Sequence, residues 1–166
     1  MFPQNGENVP RLRFAGFTGE WEVRKLGEVF EYASSKHTSG SFLNTETGYP
    51  LFDANKQIGN ILNYDKDKPY ISIIKDGAGV GRIEKRQAKT SVIATMGYLS
   101  PLIDFDFGFA LLENINFYNF ILGEVIPHIY YRDYKEYYIN LPMDAEEQTT
   151  IGEFFRTLDN LITLHS

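Results

Sequence analysis

The chain has 166 residues, of which 43% are hydrophobic and 15% aromatic, and this composition predicts one domain with a buried core. It contains no cysteine, which excludes disulfide frameworks, cysteine nucleophiles and thiolate metal sites and fits the reducing cytoplasm. The first ten residues lack the basic start and the apolar run of a signal peptide, and no segment approaches the roughly 18 apolar residues of a membrane span. The net charge of −6 argues at first sight against a nucleic-acid partner.

The first third of the chain predicts little regular structure. Residues 1–9 are polar and carry Pro and Gly, which predicts a flexible arm. Trp21 begins the ordered part, and Leu26, Val29 and Phe30 follow at the spacing of a short helix that anchors the core. Residues 32–48 are rich in Ser, Thr, Gly and Asn, which indicates a surface loop.

The middle of the chain carries short runs of β-branched and aromatic residues that predict strands. These runs cover residues 49–52, 58–62, 70–74, 80–83 and 91–99. Five short strands predict a small, twisted antiparallel or mixed sheet. A helix over 114–122 follows, another short segment starts at Pro127, and a last strand is predicted over 137–141. The predicted fold class is therefore α+β.

The C-terminal residues predict a helix that leaves the domain. Asp144 is a suitable N-cap, and Glu147 is placed to complete a capping box. Apolar residues then recur at spacings of three and four, which places them on one stripe: Ile151, Phe154, Phe155, Leu158, Leu161 and Ile162. The two phenylalanines lie close enough to pack on the domain. The outer part of a helix that is roughly 33 Å long predicts a coiled-coil partner instead.

The segment from Lys75 to Arg82 contains three alternating glycines, Gly77, Gly79 and Gly81. Glycines at this spacing allow an unusual backbone path whose N–H groups can face a phosphate. The segment lacks the spacing of a P-loop and of a dinucleotide fingerprint. The simpler interpretation is a hairpin turn between two strands that also presents Lys75 and Arg82.

Basic residues concentrate in the middle of the chain and acidic residues in the terminal helix. Residues 65–89 carry a charge of +3, whereas residues 144–166 carry −4. The densest polar stretch holds Lys85, Arg86, Gln87, Lys89 and Ser91, and a second set holds Asn55, Lys56 and Gln57. Such side chains can donate to base edges or phosphates, although each set can also be an ordinary solvated surface. The loop 34–39 is a weaker third candidate.

Catalytic signals are few. His37, His128 and His165 are far apart and do not have metal-ligand spacing. Asp104 and Asp106 are a carboxylate pair only in sequence, and Glu146 and Glu147 suit a helix N-terminus. We therefore expect no catalytic residue, no metal site and no cofactor.

Three segments resemble the specificity subunits of type I restriction–modification enzymes. The first segment, near the N-terminus, contains Pro10–Phe17, Gly19–Glu22 and Lys25–Val29. The second segment, in the middle, contains Tyr70–Ile83 and Ser91–Thr95. The third segment, at the end, contains Leu141–Gln148 and the helical stripe from Ile151 to Ile162. They occur in the order that such subunits show. Met143, where the family commonly has a second proline, is a small departure. The length is a larger one, because a full subunit resembles two recognition domains joined by two long helices.

The resemblance implies a non-catalytic scaffold that reads DNA. Residues 10–143 would form one target recognition domain, and residues 144–166 would begin the conserved dimerisation and spacer helix. The domain would read one half of a bipartite site in double-stranded DNA, with methyltransferase and restriction subunits supplying the chemistry. If the chain acts alone, two copies would pair through their helices and read an interrupted palindrome.

Two other functions remain open from the residues alone. A protein-interaction module without DNA binding would account for the acidic charge and the apolar stripe. A small nucleotide-binding enzyme would account for the glycine segment. Each of these functions explains one of the three segments, whereas the recognition domain explains all of them.

Overall fold

In the computed structural model, residues 1–4, 6–43 and 46–165 are described, and the chain divides into two compact units. Unit 1 comprises residues 1–30, 101–116 and 135–166, and unit 2 comprises residues 31–100 and 117–134. Unit 1 therefore joins the two ends of the sequence, and unit 2 holds most of the middle.

The described part of the chain contains nine strands, four α-helices and one 3₁₀ helix. The strands are β1 (Glu22–Lys25), β2 (Phe30–Ser34), β3 (Tyr49–Phe52), β4 (Gln57–Ile61), β5 (Tyr70–Ile74), β6 (Ile83–Arg86), β7 (Ser91–Val92), β8 (Met96–Pro101) and β9 (Tyr138–Leu141). The α-helices are α1 (Leu26–Val29), α2 (Phe105–Glu113), α3 (Tyr131–Tyr134) and α4 (Ala145–His165), and the 3₁₀ helix spans Phe117–Phe120. This mixture confirms the α+β class.

Unit 1 is built from the antiparallel pair β1–β9 and from helices α2 and α4, which pack on each other. Its core contains Trp21, as predicted, and the ring of Phe107 meets Trp21 edge-on with centroids 6.2 Å apart. Phe2 also joins this cluster, with its ring 6.1 Å from Trp21 and 5.9 Å from Phe155. The first residues of the predicted arm therefore contact the core, and the mobility of the arm stays a prediction.

Unit 2 contains two sheets. The first has the strand order β2-β8-β5-β6, and the second has the order β4-β3-β7, in which β3 and β7 are parallel. Strand β5 is buried along its whole length, because it lies between two neighbours in the first sheet. The core beside it gathers Tyr70, Ile74, Val92, Met96 and Tyr98. The sequence predicted one small mixed sheet, whereas the strands of unit 2 that the structure describes divide between two.

Two of the predicted strands differ from the structure. The strand predicted over 91–99 is two strands, because a turn at residues 93–95 lets β7 leave the first sheet and pair with β3. The strand predicted over 80–83 begins at Ile83, because residues 77–81 are still in the turn. Strands β3, β4, β5 and β9 agree with the prediction to within one residue at each end.

The helix predicted over 114–122 is wrong. The helix lies earlier, over Phe105–Glu113, and the carboxylate of Asp104 caps it by accepting the N–H of Phe107 at 2.9 Å. Asp104 precedes an apolar run, a position typical of an N-cap, and this signal for the earlier helix was overlooked. Helix α2 ends at Glu113 with Asn114 as its C-cap, and within the predicted segment the 3₁₀ helix Phe117–Phe120 forms.

Candidate nucleic-acid interface

The glycine segment forms the turn between the antiparallel strands β5 and β6, as the simpler interpretation predicted. Gly77, Gly79 and Gly81 all have positive φ angles, between 79° and 88°. Their spacing therefore serves backbone conformations that other residues rarely adopt. The N–H groups of Gly77, Val80 and Gly81 donate to Pro127, Gly77 and Ile74 at 2.9, 3.2 and 2.8 Å. Because these N–H groups are used within the chain, the turn gives little support to a phosphate cradle.

Arg82 connects the glycine turn to the β3–β4 hairpin. Its guanidinium donates to the carbonyl of Ala54 and, at 3.2 Å, to the side-chain oxygen of Asn55. The structure thus brings two separately predicted sets together, because Asn55, Lys56 and Gln57 are exposed on this hairpin. Lys75 lies at the same end of the β5–β6 pair and forms a 3.7 Å ion pair with Asp76.

Asp53 shapes the tip of the β3–β4 hairpin. One carboxylate oxygen accepts the N–H groups of Asn55 and Lys56, both at 2.7 Å. Burial raises the pKa of Asp53, but these two hydrogen bonds to its charged form outweigh burial, so the net shift is downward. An ionised Asp53 therefore orders the backbone that carries the exposed polar side chains.

Arg86 and Ser91 are corrections to the predicted set. Arg86 is buried; its Nε donates to Ser72 at 3.0 Å, its Nη2 pairs with Glu84 at 2.8 Å, and its guanidinium lies 4.6 Å from the ring centre of Phe52. Ser91 is also buried, and its hydroxyl accepts the N–H of Asp65 at 2.8 Å. Both residues hold unit 2 together. A basic or polar residue type does not reveal which face of a strand it occupies.

The remaining predicted residues, Lys85, Gln87 and Lys89, lie on β6 or just beyond its far end. Lys85 is half-buried, whereas Gln87 and Lys89 are exposed. In the register of the β5–β6 pair, Arg86 lies opposite Tyr70, the first residue of β5. The loop 87–90 that follows β6 is therefore at the opposite end of the pair from the glycine turn. The predicted basic residues therefore occupy two ends of unit 2.

The loop that holds Lys66 meets the loop 87–90, because the N–H of Lys89 donates to the carbonyl of Lys66 at 2.7 Å. The loop that holds Lys36 and His37, from the weaker third candidate, meets the Lys66 loop, because the ring of His37 lies 3.1 Å from the carboxylate of Asp65. The contribution of Lys66 was missed as a site residue, and its only sequence signal was its place in the +3 segment.

Charge is divided between the two units. Unit 1 carries six basic and thirteen acidic residues, for a net charge of −7, whereas unit 2 carries ten basic and nine acidic residues, for +1. The acidic excess of the whole chain therefore lies in unit 1, whereas unit 2 is close to neutral.

Helix α4 begins with the predicted cap, because the carboxylate of Asp144 accepts the N–H of Glu146 at 2.8 Å. The predicted capping box is not formed. Glu147 is buried and instead accepts two hydrogen bonds from the guanidinium of Arg13, at 2.6 and 2.8 Å. This ion pair connects the start of α4 to the N-terminal region of unit 1.

The apolar stripe of α4 changes from buried to exposed along the helix. Ile151 is 2% exposed and belongs to the core of unit 1, which corrects its assignment to an intermolecular surface. Phe155 stacks on Phe2, and Phe154 meets Phe14 edge-on at 5.6 Å. Beyond them Leu158, Leu161, Ile162 and Leu164 are exposed by 38%, 48%, 67% and 80%. The outer half of α4 therefore presents an apolar surface.

Within the described residues, no group of three or more His, Asp or Glu side chains is arranged to hold a metal ion. None of the described helices is both long and apolar enough to cross a membrane.

Comparisons with known proteins agree with this architecture. The family model for the type I restriction modification DNA specificity domain matches residues 18–166. The chain belongs to this family and is a DNA specificity domain of type I restriction–modification systems, which confirms the resemblance seen in the sequence. A comparison with curated proteins gave no significant match.

Solved structures show the same fold at low sequence identity. One is the S subunit of a type I restriction-modification system from M. genitalium, with a TM-score of 0.74, 21% identity, and coverage of 92% of this chain and 42% of that one. A second comes from a study of complex assembly and conformational transition in the type I R-M system, with a TM-score of 0.73, 18% identity, and coverage of 98% and 42%. The third is the HsdS subunit from Thermoanaerobacter tengcongensis, with a TM-score of 0.63, 17% identity, and coverage of 98% and 41%. The chain thus spans about two fifths of the length of each of these structures.

Proposed function

We propose that this chain is a non-catalytic component that reads one half of a bipartite DNA target, with unit 2 against the duplex. The observation that carries the proposal is the division of charge between the units. A basic surface is what phosphate neutralisation requires, and unit 2 holds ten of the sixteen basic residues. Exposed Asn55 and Gln57 on the β3–β4 hairpin, and Gln87 beyond β6, supply side chains that can pair with base edges.

Methylation mapping tests this function. The chain is reconstituted with the methyltransferase subunits of its own system, and the modified sites are mapped on genomic DNA. The expected result is methylation at a two-part target whose sequence changes when residues 55–57 and 87 are exchanged for those of another family member. If the methyltransferase modifies the same target without this chain, the proposed role fails.

The competing interaction module predicts a different dependence on salt. Specific DNA binding supported by phosphate contacts weakens steeply as the ionic strength rises. A reconstituted complex whose DNA affinity does not depend on this chain at any salt concentration would favour the interaction module.

We also propose that α4 is the start of a helix that pairs with another helix, either in a second copy of this chain or within the methyltransferase and restriction assembly. Support comes from the exposed stripe of Leu158, Leu161 and Ile162, because apolar residues spaced three and four apart form coiled-coil seams. If two copies pair, the composite target is an interrupted palindrome. A cytoplasmic location, where such a complex would act, remains a prediction.

The paired variant Leu158→Asp and Leu161→Asp tests the helix surface. We expect it to abolish self-association or co-purification with the methyltransferase subunits, measured by sedimentation equilibrium. The control is Asn160→Asp with Thr163→Asp, which adds the same charge on the opposite side of α4 by helical geometry. Equal assembly by both variants would contradict the role of the stripe.

A further inference from the structure

Beyond the predicted hairpin site, unit 2 contains an open recess of about 440 Å³ that includes part of the third predicted loop, residues 34–39. We refer to it as the three-loop recess, and it is lined by Ser34, Lys36, His37, Asp65, Lys66 and Tyr98. We propose that the three-loop recess binds a backbone phosphate of duplex DNA through Lys36 and Lys66, while Lys89 contacts the duplex beside them. This inference rests on the proposed DNA-reading function and names a part of the surface that performs it.

The recess is built by bonds between loops that are distant in sequence. The hydroxyl of Tyr98 donates to Asp65, and the ring of His37 lies 3.1 Å from the other oxygen of the same carboxylate. The hydroxyl of Tyr98 also accepts the N–H of Val92 at 3.0 Å. The Asp65 loop is thus attached to a buried tyrosine of β8, and the His37 loop is joined to it through Asp65, so the two loops are connected before any ligand arrives. Such preorganisation lowers the entropy cost of binding.

The charges around the recess favour an anion. Four lysines lie on its loops, Lys36, Lys66, Lys68 and Lys89, against two aspartates, Asp65 and Asp67. Asp65 already accepts hydrogen bonds from Tyr98 and contacts His37, so its carboxylate is engaged inside the protein. The ammonium of Lys66 lies 5.5 Å from the centre of the Tyr98 ring, which orients it over the recess floor.

Lys89 provides an independent observation. It is the only non-glycine residue with a positive φ in the described part of the chain, at 59°. This left-handed conformation is costly for a residue with a β-carbon and persists only where the surrounding structure imposes it. The bond from its N–H to Lys66 imposes it here. A glycine would adopt this backbone without strain, so exchange of Lys89 for glycine isolates what its exposed side chain contributes.

The chemistry suits a phosphate better than a base edge. Lysine ammonium groups donate in several directions but accept no hydrogen bond, so they act as point charges. Base edges are read mainly by bidentate Arg, Asn and Gln side chains. The three-loop recess presents two lysines and no arginine, which matches the positioning contacts that carry no sequence information.

Binding of a random-sequence duplex by the full chain, measured by fluorescence anisotropy across a salt series, tests the proposal. Each phosphate contact adds about 0.9 to the slope of log affinity against log salt, so Lys36→Gln with Lys66→Gln, which removes the contact to one phosphate, is expected to reduce the slope by about 0.9. The variant Lys36→Arg with Lys66→Arg is expected to keep the wild-type slope. Lys25→Gln with Lys135→Gln removes the same charge from unit 1 and serves as the matched control.

The variant Lys89→Gly distinguishes a contact between the Lys89 side chain and the duplex from an effect of this residue on protein stability. We expect a melting temperature no lower than that of the wild type, because the backbone strain is relieved, together with a slope reduced by about 0.9. A Lys89→Gly protein that binds the duplex as tightly as the wild type overturns the role of this lysine.

The outcomes distinguish a failure of the three-loop recess as a phosphate site from a failure of the proposed DNA-reading function. If the wild-type chain binds no duplex, alone at low ionic strength or with its partner subunits, the proposed function fails and this site with it. If the wild type binds and the Gln pair keeps its slope, or loses no more slope than the unit 1 control, only the site is overturned. If the Gln pair loses binding of inorganic phosphate but not of duplex, the recess serves a small anion and the proposal is wrong.

Discussion

Arg13 and Glu147 form a buried ion pair in which one guanidinium donates to both carboxylate oxygens. The guanidinium also donates to the carbonyls of Gly19 and Thr18, at 2.6 and 3.1 Å. The hydrogen bonds that Arg13 donates to Glu147 raise the pKa of Arg13, so the arginine stays charged. Proximity in sequence suggested that Glu147 would bond to its own helix cap, but a residue 134 positions away is its partner. Local patterns do not contain such a contact.

Arg13→Met is expected to lower the free energy of unfolding by about 3 kcal/mol at neutral pH, because Glu147 would remain buried without a partner. Urea denaturation measures this loss. The double variant Arg13→Met with Glu147→Gln removes the buried charge and is expected to recover most of the stability. A single variant within about 0.5 kcal/mol of the wild type would contradict the importance of the pair.

At the scale of elements, helices α2 and α4 approach closely at Gly152. A β-carbon built there would lie 2.6 Å from the carboxylate oxygen of Asp104 and 2.6 Å from the backbone nitrogen of Phe107. These two atoms form the N-cap bond of α2, so neither can move without loss of the cap. The beginning of α2 and the second turn of α4 are therefore one packing unit.

Gly152→Ala is expected to destabilise the protein by about 2 kcal/mol, because the overpacking cost exceeds the helix propensity gained by alanine. Thermal and urea unfolding give the difference. Glu153→Ala, at the next and exposed position, is the control and is expected to stay within about 0.5 kcal/mol of the wild type. An unchanged or raised stability for Gly152→Ala would show that the helices separate at little cost.

At the scale of the whole molecule, unit 2 depends on buried tyrosines. Burial raises the pKa of Tyr70 to about 12, and it raises the pKa values of Tyr98 and Tyr134 as well. A hydrogen bond to Asp65 adds to the upward shift of Tyr98. Below the ordinary pKa of about 10 these phenols are neutral in both the folded and the unfolded chain, so they add no pH dependence there.

Above pH 10 the unfolded chain releases these protons and the folded chain retains them, so stability falls as the pH rises. The expected slope is up to about 1.4 kcal/mol per pH unit for each tyrosine, and for Tyr70 it ends near its folded pKa of about 12. Urea midpoints at a series of alkaline pH values measure this slope. Tyr70→Phe is expected to flatten it by one tyrosine, whereas an identical slope would show that Tyr70 ionises freely in the folded state.

Much of the architecture follows from local sequence. The alternation and β-branched content of residues 70–74 predict β5, and the spacing of glycines 77, 79 and 81 predicts a turn, because strand and turn preferences act over a few residues. The capped apolar repeat after Asp144 likewise predicts α4, and the order of three segments identifies the family. The N-cap residue Asp104 also indicates where α2 begins. The apolar residues within 114–122 indicated a later helix instead, and the prediction followed them.

Tertiary structure decided which polar residues are available to a ligand. Arg86 and Lys89 belong to one basic stretch, yet one lies beneath the ring of Phe52 and the other is exposed beside Lys66. Lys36, Lys66 and Lys89 are separated by more than twenty residues at each step; the backbone bond from Lys89 to Lys66 and the contact between His37 and Asp65 bring their loops together. The sequence alone determined local conformation and family, because those depend on near neighbours. Burial and convergence depend on contacts between distant segments, which exist only once the chain has folded.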